Sequence, residues 1–183
     1  MEPYDLTEKT LSSRAVFDGT LLHVCRDTVR LPNGRPATRE YIRHVGAVCV
    51  VPLTKEGDVI MERQFRYPIG EVLFEIPAGK LNDKTEDPES AARRELREET
   101  GITAGKMTFL GCLYPTAAYS DERIGMYLAE DLTFSEAALD EDEFLSVERV
   151  PLTVLVKEIL AGRVPDAKTQ AAVLRVWCSL RKN

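Results

Sequence analysis

The sequence predicts an α/β protein: a mixed β-sheet in an α/β/α sandwich, preceded by an N-terminal antiparallel β appendage. Three observations lead there. Val45 to Leu53 (VGAVCVVPL) is almost wholly apolar over the length of one strand, which suits a central strand covered on both faces. Asp87 to Gly101 carries its own helix signals, with Asp87 as N-cap, Pro88 in the first turn and Gly101 just past the end. Two further helical stretches, Leu152 to Leu160 and Asp166 to Leu180, follow a series of strand-like runs, and helices on both faces of a sheet accommodate that order.

The elements can be justified in turn. Ala15 to Phe17, Leu21 to Leu31 and Thr38 to Arg43 read as strands, and Pro32-Asn33-Gly34-Arg35-Pro36 joins the last two as a hairpin. So few residues cannot bury a core alone, so this sheet is expected to pack on the main domain or on a second subunit. The boundary is placed at 44, with residues 45–183 as the main domain. Lys55-Glu56-Gly57-Asp58 is a turn that brings Val59 to Glu62 back as the hairpin partner of the apolar strand, continuing to Tyr67. Glu71 to Ile76 is a strand closed by Pro77-Ala78-Gly79, and Met107 to Tyr114 and Ile124 to Ala129 follow the helix as two more. Asp131 to Glu143 is acidic and expected to be a mobile loop, and Phe144 to Val150 is the last strand. Asp166 caps the final helix, where Trp177 is expected in the core.

Composition narrows the function. A chain of 183 residues with 44% hydrophobic and 30% charged side chains describes a soluble globular protein of one domain and an appendage. A net charge of −6 without any Lys/Arg run argues against nucleic acid, although bound metal can invert the sign of a site locally and admit an anionic small molecule. MEPYDLTEKT is too polar for a signal peptide, and no apolar run is long enough to span a membrane. Cys25, Cys49, Cys112 and Cys178 lack metal-type spacing, so reduced, buried thiols in a cytosolic protein are expected.

On the Asp87–Gly101 helix, Glu95, Glu98 and Glu99 stand at i, i+3 and i+4, so their carboxylates share a face. Such charges repel unless neutralised. Arg94 can reach Glu98 one turn on, and a divalent cation would neutralise more. Clustered hard oxygen donors suit Mg²⁺ or Mn²⁺ rather than zinc. A site of that kind polarises phosphoryl oxygens and needs no covalent nucleophile. In keeping with it, the chain has no G-x-x-x-x-G-K-[ST] loop, no G-x-S-x-G elbow, and as histidines only His23 and His44.

Glu86, seven residues, Arg94-Glu95-Leu96, one residue, Glu98-Glu99, one residue, Gly101-Ile102 resembles the Nudix hydrolase box, G-x5-E-x7-R-E-U-x-E-E-x-G-U with U aliphatic. Six residues rather than five separate Gly79 from Glu86, the surplus falling in the polar loop Asn82 to Thr85. Beyond the box, Arg63-Gln64-Phe65-Arg66, Glu75-Ile76-Pro77-Ala78-Gly79 and Asp166-Ala167-Lys168-Thr169 are similar to stretches of the ADP-ribose pyrophosphatase branch. The resemblance implies a Nudix fold and Mg²⁺-dependent hydrolysis of a nucleoside diphosphate, ADP-ribose yielding AMP and ribose 5-phosphate being the leading substrate. It implies Glu95, Glu98, Glu99 and the carbonyl of Ala78 as metal ligands, Glu98 counting also as catalytic. Glu86 would orient a neighbour or take part in an outer shell. Arg66 is implied as the contact to a substrate phosphate, and Glu141 or Glu143, on the acidic loop, as the general base. Ser120-Asp121-Glu122 matches a substrate-contacting region in part, placing Glu122 there. Arg39 and Glu40, with Phe17 or Tyr41, would reach a purine across a homodimer interface. Ala117-Ala118 stand where the branch usually has Pro-Gly, which keeps a UDP- or GDP-sugar pyrophosphatase as an alternative. A non-catalytic nucleotide-binding regulator is the third reading, against which the retained glutamates count.

Overall fold

The computed structural model describes residues 5–136 and 144–181, and these fall into two compact units, Met1–His44 with Thr116–Glu122 and Val45–Pro115 with Arg123–Asn183. In the first unit, β1 (Lys9–Asp18), β2 (His23–Arg30) and β3 (Pro36–Arg43) form an antiparallel sheet in that order. The β2–β3 hairpin turns where the Asn-Gly pair requires it. Gly34 takes φ 83°, and its N–H donates to the Leu31 carbonyl at 2.8 Å. Thr116–Glu122 joins this unit through a bridge between Ile42 and Ser120 and a 2.7 Å bond from the His44 N–H to Asp121 Oδ1.

The second unit is layered. β4 (Ala47–Pro52) lies inside a four-stranded sheet, between β7 (Ala78–Lys80) and β9 (Ile124–Phe134), with β8 (Ile102–Leu113) outside β9. β4 runs parallel to β9 and antiparallel to β7. Its alternation explains its uniform apolarity. Val48 and Val50 meet Ala91, Ala92 and Leu96 of α1 (Pro88–Thr100), whereas Cys49 and Val51 meet the cluster built by α2 (Leu152–Leu160) and α3 (Ala167–Leu180). Both faces are therefore covered, as a parallel central strand requires. Burial pushes the Cys49 thiol up to about 12, so it is an inert packing group.

The α1 ends match the sequence signals. Asp87 accepts from the Ser90 N–H at 2.9 Å, Pro88 opens the helix, and Gly101 at φ 68° donates to the Arg97 carbonyl at 2.9 Å. Asp166 likewise caps α3, accepting from the Thr169 N–H.

Several expectations are corrected. The strand β5 (Asp58–Arg66) is not the ladder partner of β4. It pairs with β6 (Glu71–Glu75) and β10 (Leu145–Pro151) in a separate three-stranded sheet and meets β4's end through one bridge, Leu53 to Val59. Both edges of β4 are already taken by β7 and β9, so a returning strand has no free edge to join. The middle layer thus comprises two sheets, β5 supplying Ile60 to one core and Val59 and Met61 to the other. β5 is the middle strand of its sheet. Of Pro77-Ala78-Gly79, expected to close a strand, Ala78 and Gly79 themselves pair with β4, together with Lys80. β8 begins at Ile102, directly after the helix, and β9 runs on through Phe134, converting the start of the expected acidic loop into strand. Among the cysteines, Cys25 and Cys49 are buried, but Cys112 is half-buried and Cys178 is exposed near the end of α3. Trp177 is half-buried against the α2/α3 core, with the Arg181 guanidinium over its ring.

Leu96 is fully buried on the α1 face, so Leu96→Ala should cost about 2–5 kcal/mol in stability through lost transfer energy and a residual cavity. Denaturant unfolding measures this, and a loss below about 1 kcal/mol would contradict the packing described.

Candidate active site

Helix α1 presents its carboxylates where the β7 turn passes closest. A Cβ built on Gly79 would sit 2.0 Å from Glu95 Cδ and 2.1 and 2.2 Å from its two oxygens. Only a residue without a side chain lets the turn approach the carboxylate so closely. One turn along, buried Glu99 accepts the Ala78 N–H on Oε2 at 3.0 Å. Glu95 and Glu99 are thereby fixed against two consecutive residues of one strand.

Arg94 binds the rest of the cluster together. Its Nε donates to Glu86 Oε1 at 3.2 Å, and its Nη1 to Glu95 Oε1 at 2.8 Å and Glu98 Oε2 at 3.1 Å. Its Nη2 donates to the Lys80 carbonyl at 3.2 Å. Partial burial alone would depress the guanidinium's pKa, but the Glu86 bond, the Glu95 charge and the bonds to Glu95 and Glu98 raise it instead. Glu86 is held below the usual carboxylate range, first by the Asn82 N–H and then by Arg94. Its part is to anchor Arg94 and the loop before the helix.

The donor set is three carboxylates of one helix, all hard oxygens, with the Ala78–Gly79 backbone against two of them, which fits a divalent cation of the Mg²⁺ or Mn²⁺ kind. Among the described residues no three Asp, Glu, His or Cys groups already converge as a metal cage. Arg94 stands between Glu95 and Glu98, so a cation shared by them replaces contacts that Arg94 now makes.

Beside this cluster lies a second one. Arg66, at the end of β5, donates through Nε and Nη2 to the two oxygens of Glu75 at 2.8 and 2.9 Å, while Lys168 Nζ also bonds Glu75. Glu75 is wholly buried, whereas 37% of the Arg66 side chain is exposed. Burial disfavours the charged Arg66, but the bond to Glu75 more than offsets it. Glu75 and Lys168 stand inside stretches similar to the ADP-ribose pyrophosphatase branch, yet no local signal gives either a role. They are 93 residues apart, and no periodicity relates them.

The remaining expected residues are elsewhere. In the N-terminal unit Arg39 pairs with Glu8, Glu40 with Arg26 at 2.5 Å, and Glu122 Oε1 lies 3.9 Å from His44 Nδ1. Phe17 is exposed on β1, and the Tyr41 hydroxyl donates to Asp27 Oδ2 at 3.2 Å. Glu141 and Glu143 lie outside the described residues.

The model of the NUDIX domain matches residues 43–173, and that of the Nucleoside diphosphate sugar hydrolase N-terminal domain matches residues 8–42. A carboxylate-rich helix against a glycine turn, in a fold of this layering, defines the class, and the chain belongs to the Nudix hydrolase family, enzymes acting on diphosphate anhydrides that generally use divalent metals. Among its relatives, an ADP-ribose pyrophosphatase of Bacillus subtilis (strain 168) is 44% identical, the match covering 92% of this chain and 91% of that one. A methanol dehydrogenase activator of Bacillus methanolicus is 40% identical over 91% of this chain and 90% of its own. A crystal structure of an ADP compounds hydrolase superposes with a TM-score of 0.85 at 25% identity, covering 96% of this chain and 95% of that one. The Nudix fold expected from the sequence is thus present.

Gly79→Ala should leave the fold intact, because the group in its way is the end of a flexible side chain, yet displace the Glu95 carboxylate. Hydrolysis should fall by about tenfold or more, since ångström-scale misplacement of a catalytic group is costly. Thermal melting and turnover measured together check this, and unimpaired turnover would contradict the fixed position of Glu95.

Proposed function

We propose that the chain is a Mg²⁺-dependent pyrophosphatase that hydrolyses ADP-ribose to AMP and ribose 5-phosphate, with Mn²⁺ as a substitute. The observation that carries this reading is the seating of Glu95 and Glu99 against Gly79 and Ala78, which gathers hard oxygen donors beside a half-exposed arginine. Glu95, Glu98, Glu99 and the Ala78 carbonyl would hold the metal. When bound, the cation would neutralise the diphosphate and lower the pKa of the attacking water. Arg66, its plane fixed by Glu75, offers its outer N–H groups to a phosphate. A general base on the acidic loop, Glu141 or Glu143, would take the proton from water. Arg39, Glu40 and Glu122 are the proposed contacts to the nucleoside end.

Residues 1–44 serve in this reading as a dimerisation and substrate appendage to a hydrolase domain at 45–183. A homodimer is supported by β1, exposed at every position and carrying Leu11, Val16 and Phe17. Sedimentation should give twice the 20.5 kDa of one chain, and a monomer at micromolar concentration would count against it. No helix among the described residues is long and apolar enough to cross a membrane, and the described cysteines are all free thiols, in keeping with a cytoplasmic enzyme.

A second reading, cleavage of UDP- or GDP-sugars, is favoured by the nucleoside diphosphate sugar hydrolase match over residues 8–42 and by Ala117-Ala118. Incubation with Mg²⁺ and a panel of ADP-ribose, UDP-sugars, GDP-sugars and NADH, followed by mass spectrometry, separates the two. AMP and ribose 5-phosphate are expected from wild type, and at least a hundredfold less, as an order-of-magnitude expectation, from Glu99→Gln. Preferential cleavage of another sugar nucleotide would transfer the mechanism to that substrate. Ligand binding without hydrolysis would favour a regulator.

A further inference from the structure

The first turn of α3 touches both halves of the proposed site. Lys168 Nζ donates to buried Glu75, the carboxylate that also takes both Arg66 bonds, and reaches Asp166 Oδ1 at 3.2 Å. The next residue, fully buried Thr169, accepts the Ile76 N–H on Oγ1 at 3.0 Å. A helical threonine hydroxyl commonly turns to its own helix, so a lone pair directed at another segment is a specific commitment. Pro77 has no N–H, and the Ala78 N–H goes to Glu99. The backbone donors of the stretch from Ile76 to Ala78 are therefore divided between α3 and α1, while its Pro77 carbonyl accepts from the Val50 N–H of β4 at 2.9 Å.

We infer that Lys168 and Thr169 are positioning residues, Lys168 setting the phosphate grip of Arg66 through Glu75 and Thr169 setting the metal-side turn through Ile76. This rests on the phosphate and metal roles proposed above. Two cations on Glu75 matter because one would be spent on it. With Lys168 present, the negative charge of Glu75 is shared and Arg66 keeps positive potential for an incoming anion. Without it, Glu75 is balanced by Arg66 alone among these bonded cations, and Asp166 loses its lysine as well. Buried Glu62 stands opposite Glu75 in the β5–β6 register.

The two residues should separate in kinetics. Lys168→Met should raise the KM for the diphosphate substrate by about tenfold or more, as expected for losing a charged hydrogen bond, with kcat within about twofold. Lys168→Arg should recover most of the loss. Thr169→Val should leave that KM near wild type, weaken Mn²⁺ binding in a calorimetric titration without substrate by about tenfold, and raise the metal requirement for turnover equally. Thr169→Ser should restore both. ADP-ribose titrated in chelator gives the Lys168 effect without turnover, and Lys168→Gln, which keeps a donor for Glu75, replaces the methionine variant if that unfolds. An unchanged KM in Lys168→Met, no recovery in Lys168→Arg, or unchanged Mn²⁺ affinity in Thr169→Val would each overturn the inference. A wild type that neither cleaves nor binds any nucleoside diphosphate would overturn the functional reading itself, whereas an active wild type with indifferent variants overturns only this step.

Discussion

Arg94 lies among Glu86, Glu95 and Glu98 and offsets the mutual repulsion of the carboxylates it bonds. Like charges at i, i+3 and i+4 on a helix repel by about a few tenths of a kcal/mol per pair. A planar guanidinium answers this better than an ammonium could. It extends to three carboxylates and the Lys80 carbonyl at once, and it cannot lose its proton. The arrangement orders the loop before the helix, the helix face and the β7 strand together. Glu99, buried against the Ala78 N–H, adds a second tie between α1 and that strand. The consequence is a site whose backbone is fixed while its carboxylate ends remain open to exchange one positive partner for another.

The second charged cluster follows the same logic. Glu75 gives up all contact with water, so its charge must be met by bonded cations. Arg66 meets it edge-on and stays partly exposed. Lys168 meets it from α3. A carboxylate at the end of β6 thus ties a central strand of one sheet to the C-terminal helix, two residues before the turn that approaches Glu99 and Glu95. The two clusters are connected through four residues of backbone, from Glu75 to Ala78.

The helix α1, its caps, and the common face of Glu95, Glu98 and Glu99 were legible in the sequence, because they depend on neighbours within one or two turns. The apolar run of β4 likewise announced a strand covered on both faces. What failed were statements about partners. The turn after β4 was read correctly as a turn, but the strand it leads to joins β6 and β10, since β7 and β9 already fill both edges of β4. Edge occupancy is settled by segments far along the chain, and a local pattern carries no trace of it.

The sequence by itself determined the helix and its carboxylate face, the kind of cation they suit, and the family resemblance. Those follow from spacing within a single element. Tertiary structure alone decided that Gly79 must be glycine because Glu95 lies against it, that Arg94 serves three carboxylates rather than one, and that Glu75 meets Lys168 from 93 residues away. Each of these depends on close approach between elements, and that distance is set by how the layers pack.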